Sequence, residues 1–86
     1  MIHVELYEGA RQIAGVSALD VEARTLGDAL DAVRAAHPQL EPRVLVPGGL
    51  APHWRVSVGG RQFVEDPATP LEPGETLLLV SALAGG

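Results

Sequence analysis

The chain contains no cysteine and no lysine in 86 residues. The first absence removes disulfides, thiolate metal sites and cysteine nucleophiles together, so any sulfur chemistry would have to be acquired from outside. The second leaves Arg11, Arg24, Arg34, Arg43, Arg55 and Arg61 as the basic complement, and the net charge is −5. That balance disfavours nucleic acid, which needs a cationic face; an acidic surface suits a basic docking groove on another protein. No apolar run approaches the ~18 residues of a membrane span. The N-terminus also lacks the basic-then-apolar order of a signal peptide. The expected setting is the cytoplasm, with no membrane partner. His3, His37 and His53 lack metal-ligand spacing, so no metal is expected. Asp28 and Asp31 are expected on a solvated helix face, without the cleft an acid–base pair needs. Gly48-Gly49 and Gly59-Gly60 lack the following Lys and Ser/Thr of a phosphate loop.

What is present is enough for one small core, with 47% apolar residues and no room for a second domain. Ile2, Val4 and Leu6 alternate with His3, Glu5 and Tyr7, predicting a strand over residues 1–8. Gly9 to Gly15 brackets room for one helical turn, anchored by Ile13, and a second strand follows over 17–23. The short connection makes these two strands antiparallel neighbours. Thr25 to Asp28 has the form of an N-cap followed by an acidic residue. Leu26, Ala29, Leu30, Val33 and Ala36 then form one apolar stripe, and Pro38 ends the helix near His37. The main helix is placed over 26–36.

Residues 38–53 carry four prolines and read as irregular, with Arg43 to Val46 either a short edge strand or a packed loop. Trp54, Val56 and Val58, then Gly59-Gly60, then 61–64 predict a hairpin with positive φ in its turn. Trp54 and Phe63 are expected to pack in the core or on the hairpin, Trp54 having a second reading as part of a docking face. Pro73-Gly74 favours a type II turn. The apolar run Leu77 to Val80 predicts a central last strand over 76–82. Placing that strand beside the first, under Leu26, Leu30 and Val33, gives an α+β β-grasp fold. A mixed sheet of about four to five strands then packs on one main helix. The domain spans 1–82, and 83–86 form a flexible, extended Gly-Gly tail. Parallel pairing of the first and last strands would put the chain ends at opposite ends of the sheet and let the tail leave freely.

Leu83-Ala84-Gly85-Gly86 is the candidate functional segment. Extended, four residues reach on the order of 13 Å at about 3.3 Å each, enough to thread a narrow slot, and glycine passes where nothing wider does. A frayed end is the plainer reading of two glycines taken alone. The missing lysines fit a chain with an activated acyl end, since Met1 then supplies its only amine; codon preference for arginine explains them without function.

The opening Met1-Ile2, Val4 and Leu6-Tyr7 is joined by Ala10 to Gly15, Thr25 to Leu30, Val56 to Arg61, Thr69-Pro70-Leu71 with Pro73-Gly74-Glu75, and Ala84-Gly85-Gly86. Together they resemble the MoaD/ThiS-type ubiquitin-like sulfur carriers. These include the small subunit of molybdopterin synthase, the thiamine sulfur carrier and the carrier of a thiocarboxylate-dependent cysteine pathway. The long 38–53 segment is closer in layout to the last of these. The resemblance implies that an E1-like adenylating enzyme uses ATP to activate the carboxylate of Gly86. Sulfur from a sulfurtransferase or persulfide then displaces AMP, and the thiocarboxylate feeds a sulfur-accepting synthase in molybdopterin, cysteine, thiamine or specialised metabolism. Gly86 carries the reactive carbon, Gly85 passes the constriction, and Leu83 and Ala84 pack on the partner, Leu83 as the main anchor. The chain would be a carrier or co-substrate and not itself an enzyme, with no cofactor of its own. The alternative is a ubiquitin-like modifier joined through Gly86 to lysines of other proteins. A third reading is an interaction domain with an unreactive end.

Overall fold

The opening alternation becomes β1 (Ile2–Leu6) in the computed structural model, which describes residues 1–60 and 62–82. Ile2, Val4 and Leu6 are buried, and His3 and Glu5 turn to the opposite face. Next comes α1 (Glu8–Ala14), longer than the single turn predicted. Its buried residues are Ala10 and Ala14, with Ile13 only partly covered. Two small side chains at i and i+4 let the short helix lie close against its neighbours, which is why alanines and not Ile13 define its inner face.

Strand β2 (Ala18–Val21) runs antiparallel to β1, with Ile2 opposite Val21. Helix α2 (Leu26–Ala36) has the predicted bounds. Its start is fixed by Thr25, whose hydroxyl oxygen accepts the Asp28 N–H at 3.2 Å. Leu26, Ala29, Leu30 and Val33 are buried, whereas Ala36, the predicted end of the stripe, is exposed. Asp31 lies on the outer side and pairs with Arg34 at 3.2 Å.

The segment after α2 is more ordered than its prolines suggest. Pro38–Leu40 forms a 3-10 turn, and β3 (Leu45–Val46) pairs with β4 (Gly49–Leu50) as a separate two-stranded sheet. Leu40, Val44 and Leu45 are completely buried, so this segment closes one side of the core. Strands β5 (Trp54–Val58) and β6 (Gln62–Val64) make the predicted hairpin, with Gly59 and Gly60 at φ of 62° and 74°. Finally β7 (Thr76–Ser81) enters the middle of the sheet, parallel to β1 and antiparallel to β5. The strand order β2-β1-β7-β5-β6 over α2 is the β-grasp arrangement. No helix among the described residues is long and apolar enough to cross a membrane.

One glycine is held by proximity. The Gly27 N–H donates to the Pro67 carbonyl at 2.9 Å, and the neighbouring Leu26 N–H donates to Thr69. A Cβ at Gly27 would lie 3.1 Å from the Pro67 Cβ and 3.2 Å from its carbonyl oxygen. Alanine normally gains about 0.5–1 kcal/mol over glycine inside a helix. Here two hydrogen bonds tie the loop down, so it cannot retreat without stretching them. Gly27→Ala is therefore expected to lower stability by about 1 kcal/mol, read as a reduced urea midpoint; an increase would show that the loop yields freely.

Candidate functional site

The site is built around the end of β7. Because β1 is parallel to β7 and β5 antiparallel, the end of β1 and the start of β5 border the point where the chain leaves the sheet. The Tyr7 N–H donates to the Leu79 carbonyl at 3.2 Å on one side. On the other, the Ala82 N–H donates to the His53 carbonyl at 2.6 Å. The predicted partner-binding residues Leu83, Ala84, Gly85 and Gly86 lie outside the described residues. What the structure places is their base, Ala82, which is exposed.

Two surfaces meet there. On the helix side, a groove of about 520 Å³ is lined by Leu26, Leu30, Leu50, Trp54 and Pro67, and reaches Ala82. Trp54 is half-buried, and the tip of its ring stands 3.8 Å from where a Gly9 Cβ would be. It thus packs against the core, as expected, and also lines the groove. On the opposite side of the sheet, Leu78 and Val80 of β7 are half-buried. Register puts Val80 beside Arg55, and Leu78 beside Ser57, which in turn faces Phe63.

Of its two expected places Phe63 takes the hairpin and not the core: it is 57% exposed, with the Arg55 guanidinium of the paired strand 5.8 Å from its ring centre. Its side chain shares the outer face with Ser57 because Val58 pairs with Gln62 across the turn. A two-residue turn at Gly59-Gly60 would have set Phe63 opposite Val56 on the inner face; the observed pairing of Val58 with Gln62 moves the register by one residue and turns Phe63 outward. The sequence reading thus missed the outer patch of Phe63, Leu78 and Val80.

Further along that face, His3 bridges two strands. Its Nδ1 lies 2.8 Å from an Asp20 carboxylate oxygen, and its Nε2 lies 3.5 Å from Glu5. The Tyr7 hydroxyl donates to the same Glu5 at 2.6 Å. The hydrogen bond to Asp20 raises the His3 pKa above 6.5; desolvation opposes this, and the charges of Asp20 and Glu5 add to the rise. A raised folded value means the contribution to stability is complete below the unfolded pKa and disappears as pH climbs through the folded one. His3 is accordingly expected to titrate above 6.5 by NMR, and Asp20→Asn to move it back down; an unchanged midpoint in that variant would assign the shift elsewhere.

His37 caps α2 and His53 precedes β5, far from His3 in the chain. No group of three or more His, Asp or Glu suited to a metal ion occurs among the described residues.

No family model matches the chain, and no curated protein does. Among solved structures, small archaeal modifier protein 1 (SAMP1) from Haloferax volcanii is 32% identical, with 99% of this chain and 98% of that one covered and a TM-score of 0.80. The BexX/CysO complex of Amycolatopsis orientalis matches at 21% identity, with 100% of both chains covered and a TM-score of 0.82. CysO from Mycobacterium tuberculosis matches at 19%, covering 96% of this chain and 100% of that one, with a TM-score of 0.80. At these two lower identities the likeness is one of fold.

Proposed function

The chain belongs to the MoaD/ThiS-type ubiquitin-like family, and from that membership we propose that it is a cytoplasmic sulfur carrier acting through the Gly86 carboxylate. The observation that carries the reading is the placement of β7: a central strand, paired on both sides, delivers the chain at Ala82 immediately before Leu83-Ala84-Gly85-Gly86. A rigid base and a side-chain-free tip are what an enzyme needs in order to draw a carboxylate into a narrow active site.

A carboxylate is a poor electrophile, so it must first be activated. An E1-like enzyme supplies ATP; a Gly86 carboxylate oxygen attacks the α-phosphorus and pyrophosphate departs. The terminal sulfur of a persulfide on a sulfurtransferase then adds to the acyl carbon and AMP leaves with the C–O bonding electrons, giving an acyl disulfide. A second thiol of the partner attacks the sulfurtransferase sulfur of that bond, forming a disulfide there and releasing the thiocarboxylate. A sulfur-accepting synthase takes that sulfur onward. The catalytic groups belong to these partners, and this chain is their co-substrate. Leu83 and Ala84, together with the outer patch of Phe63, Leu78 and Val80, supply the apolar contact.

A second reading has its own support, since the 32% identical relative is a modifier protein. There the acceptor would be a lysine amine of another protein. Intact mass after incubation with a matched E1-like enzyme, ATP and a sulfur donor tests the proposal. A gain equal to sulfur replacing oxygen supports the carrier. A wild-type chain left unchanged by a demonstrably active enzyme ends that reading, and high-mass conjugates cleaved at isopeptide bonds favour the modifier.

A further inference from the structure

Among the described residues, two other than glycine have left-handed backbone, Glu8 at φ 54° and His53 at φ 72°. Both flank the same place. Glu8 follows β1 and His53 precedes β5, the two strands that border the exit of β7. Left-handed backbone at a non-glycine residue is disfavoured and persists where surrounding structure imposes it, so its occurrence on both sides of one exit asks for a cause.

At His53 that cause is visible. The Ala51 carbonyl accepts the Trp54 N–H at 3.2 Å, closing a tight turn through Pro52 and His53. The turn brings the His53 carbonyl to 2.6 Å from the Ala82 N–H, one residue beyond the Trp54–Ser81 pair that ends the regular ladder. On the β1 side the Tyr7 N–H donates to the Leu79 carbonyl. The bond from Ala82 is thus the last one described before the tail, and it depends on a backbone conformation rather than on a side-chain contact.

We propose that His53 is a positioning residue: its left-handed backbone, not its imidazole, locks Ala82, the base from which the tail is presented to the activating enzyme. The proposal rests on the tail reading given above. It makes the efficiency of activation depend on how readily residue 53 occupies positive φ. Asparagine tolerates that region, and β-branched valine does not.

His53→Asn and His53→Val separate backbone from imidazole. Two quantities are read: amide hydrogen exchange at Ala82, and kcat and KM of the E1-like enzyme for the carrier, followed by pyrophosphate release. His53→Asn is expected to match wild type in both. In His53→Val, protection of the Ala82 amide should fall on the order of tenfold and KM rise on the order of tenfold, with kcat little changed and the core amides of β7 still protected. If His53→Val does not fold, His53→Gly against His53→Ala gives the same contrast. An Asn variant as impaired as the Val variant would assign the effect to the imidazole and overturn the proposal, as would full protection of Ala82 in His53→Val. Exchange at Ala82 is read without any enzyme, so a wild-type chain that is never adenylated would sink the carrier reading while leaving this comparison to decide the role of His53.

Discussion

Leu79→Ala is expected to destabilise the fold by about 3–5 kcal/mol, the upper part of the range for buried leucines. Leu79 has no exposed surface and sits in the central strand. It is flanked in register by Leu6 on β1 and Val56 on β5, each 1% exposed. Both neighbours are fixed by their own ladders, so little can move in to fill the space left by the missing side chain. A chain of 86 residues has roughly 4–13 kcal/mol of total stability, so this one change removes about a quarter of it or more. Urea denaturation should show a large fall in midpoint with an unchanged slope. Leu78→Ala, one residue away on the half-buried outer face, should cost much less. A similar loss in the two variants would mean that the two faces of β7 are not distinguished as the burial pattern indicates.

Deleting Gly86 should leave that unfolding curve untouched and reduce activation by at least about a hundredfold. Removing one extended residue withdraws the carboxylate by roughly 3.3–3.6 Å. A misplacement of about 1 Å at a reacting centre already costs on the order of a hundredfold in rate, so the shortened tail falls well short of attack geometry. Gly85→Val tests the same slot from the side: the chain keeps its length but acquires a branched side chain where a narrow passage is inferred. The measurement is the sulfur-for-oxygen mass gain, with the initial rate of pyrophosphate release beside it. Normal thiocarboxylation of the Gly86 deletion would remove the tail from the mechanism.

Strong local signals were legible in the sequence. Thr25, the Leu26–Val33 stripe and Pro38 each act within a turn or two, and α2 begins and ends where they place it. The run Leu77 to Val80 likewise identified the central strand, because a strand buried on one face and partly covered on the other carries consecutive apolar side chains. The 38–53 segment was harder to read. Its strands are two residues long, too short for alternation to register, and Leu40, Val44 and Leu45 are buried by tertiary contact alone. The choice between core and hairpin for Phe63 was open for a related reason: β6 has three residues, and which of them faces outward is decided by pairing across the turn. The base of the candidate site at Ala82 could be anticipated from the end of the last strand. The left-handed turn at His53 that holds it has only a weak sequence signature, Pro52 at the second turn position, with histidine where glycine or asparagine would mark positive φ more strongly.

The parallel pairing of β1 with β7 also has a mechanical consequence. Four register pairs, His3 with Thr76 through Leu6 with Leu79, lie along the line between the two ends of the domain. Force applied at Ile2 and Ala82 in opposite directions loads these rungs in shear, so they must yield together rather than one after another as in a hairpin peeled from its turn. Resistance to such pulling is governed by the unfolding barrier and not by the equilibrium stability. A protein drawn upon by its tail, whether into an activating enzyme or by a motor that unfolds what it is attached to, therefore meets that load along the direction in which the sheet is hardest to take apart.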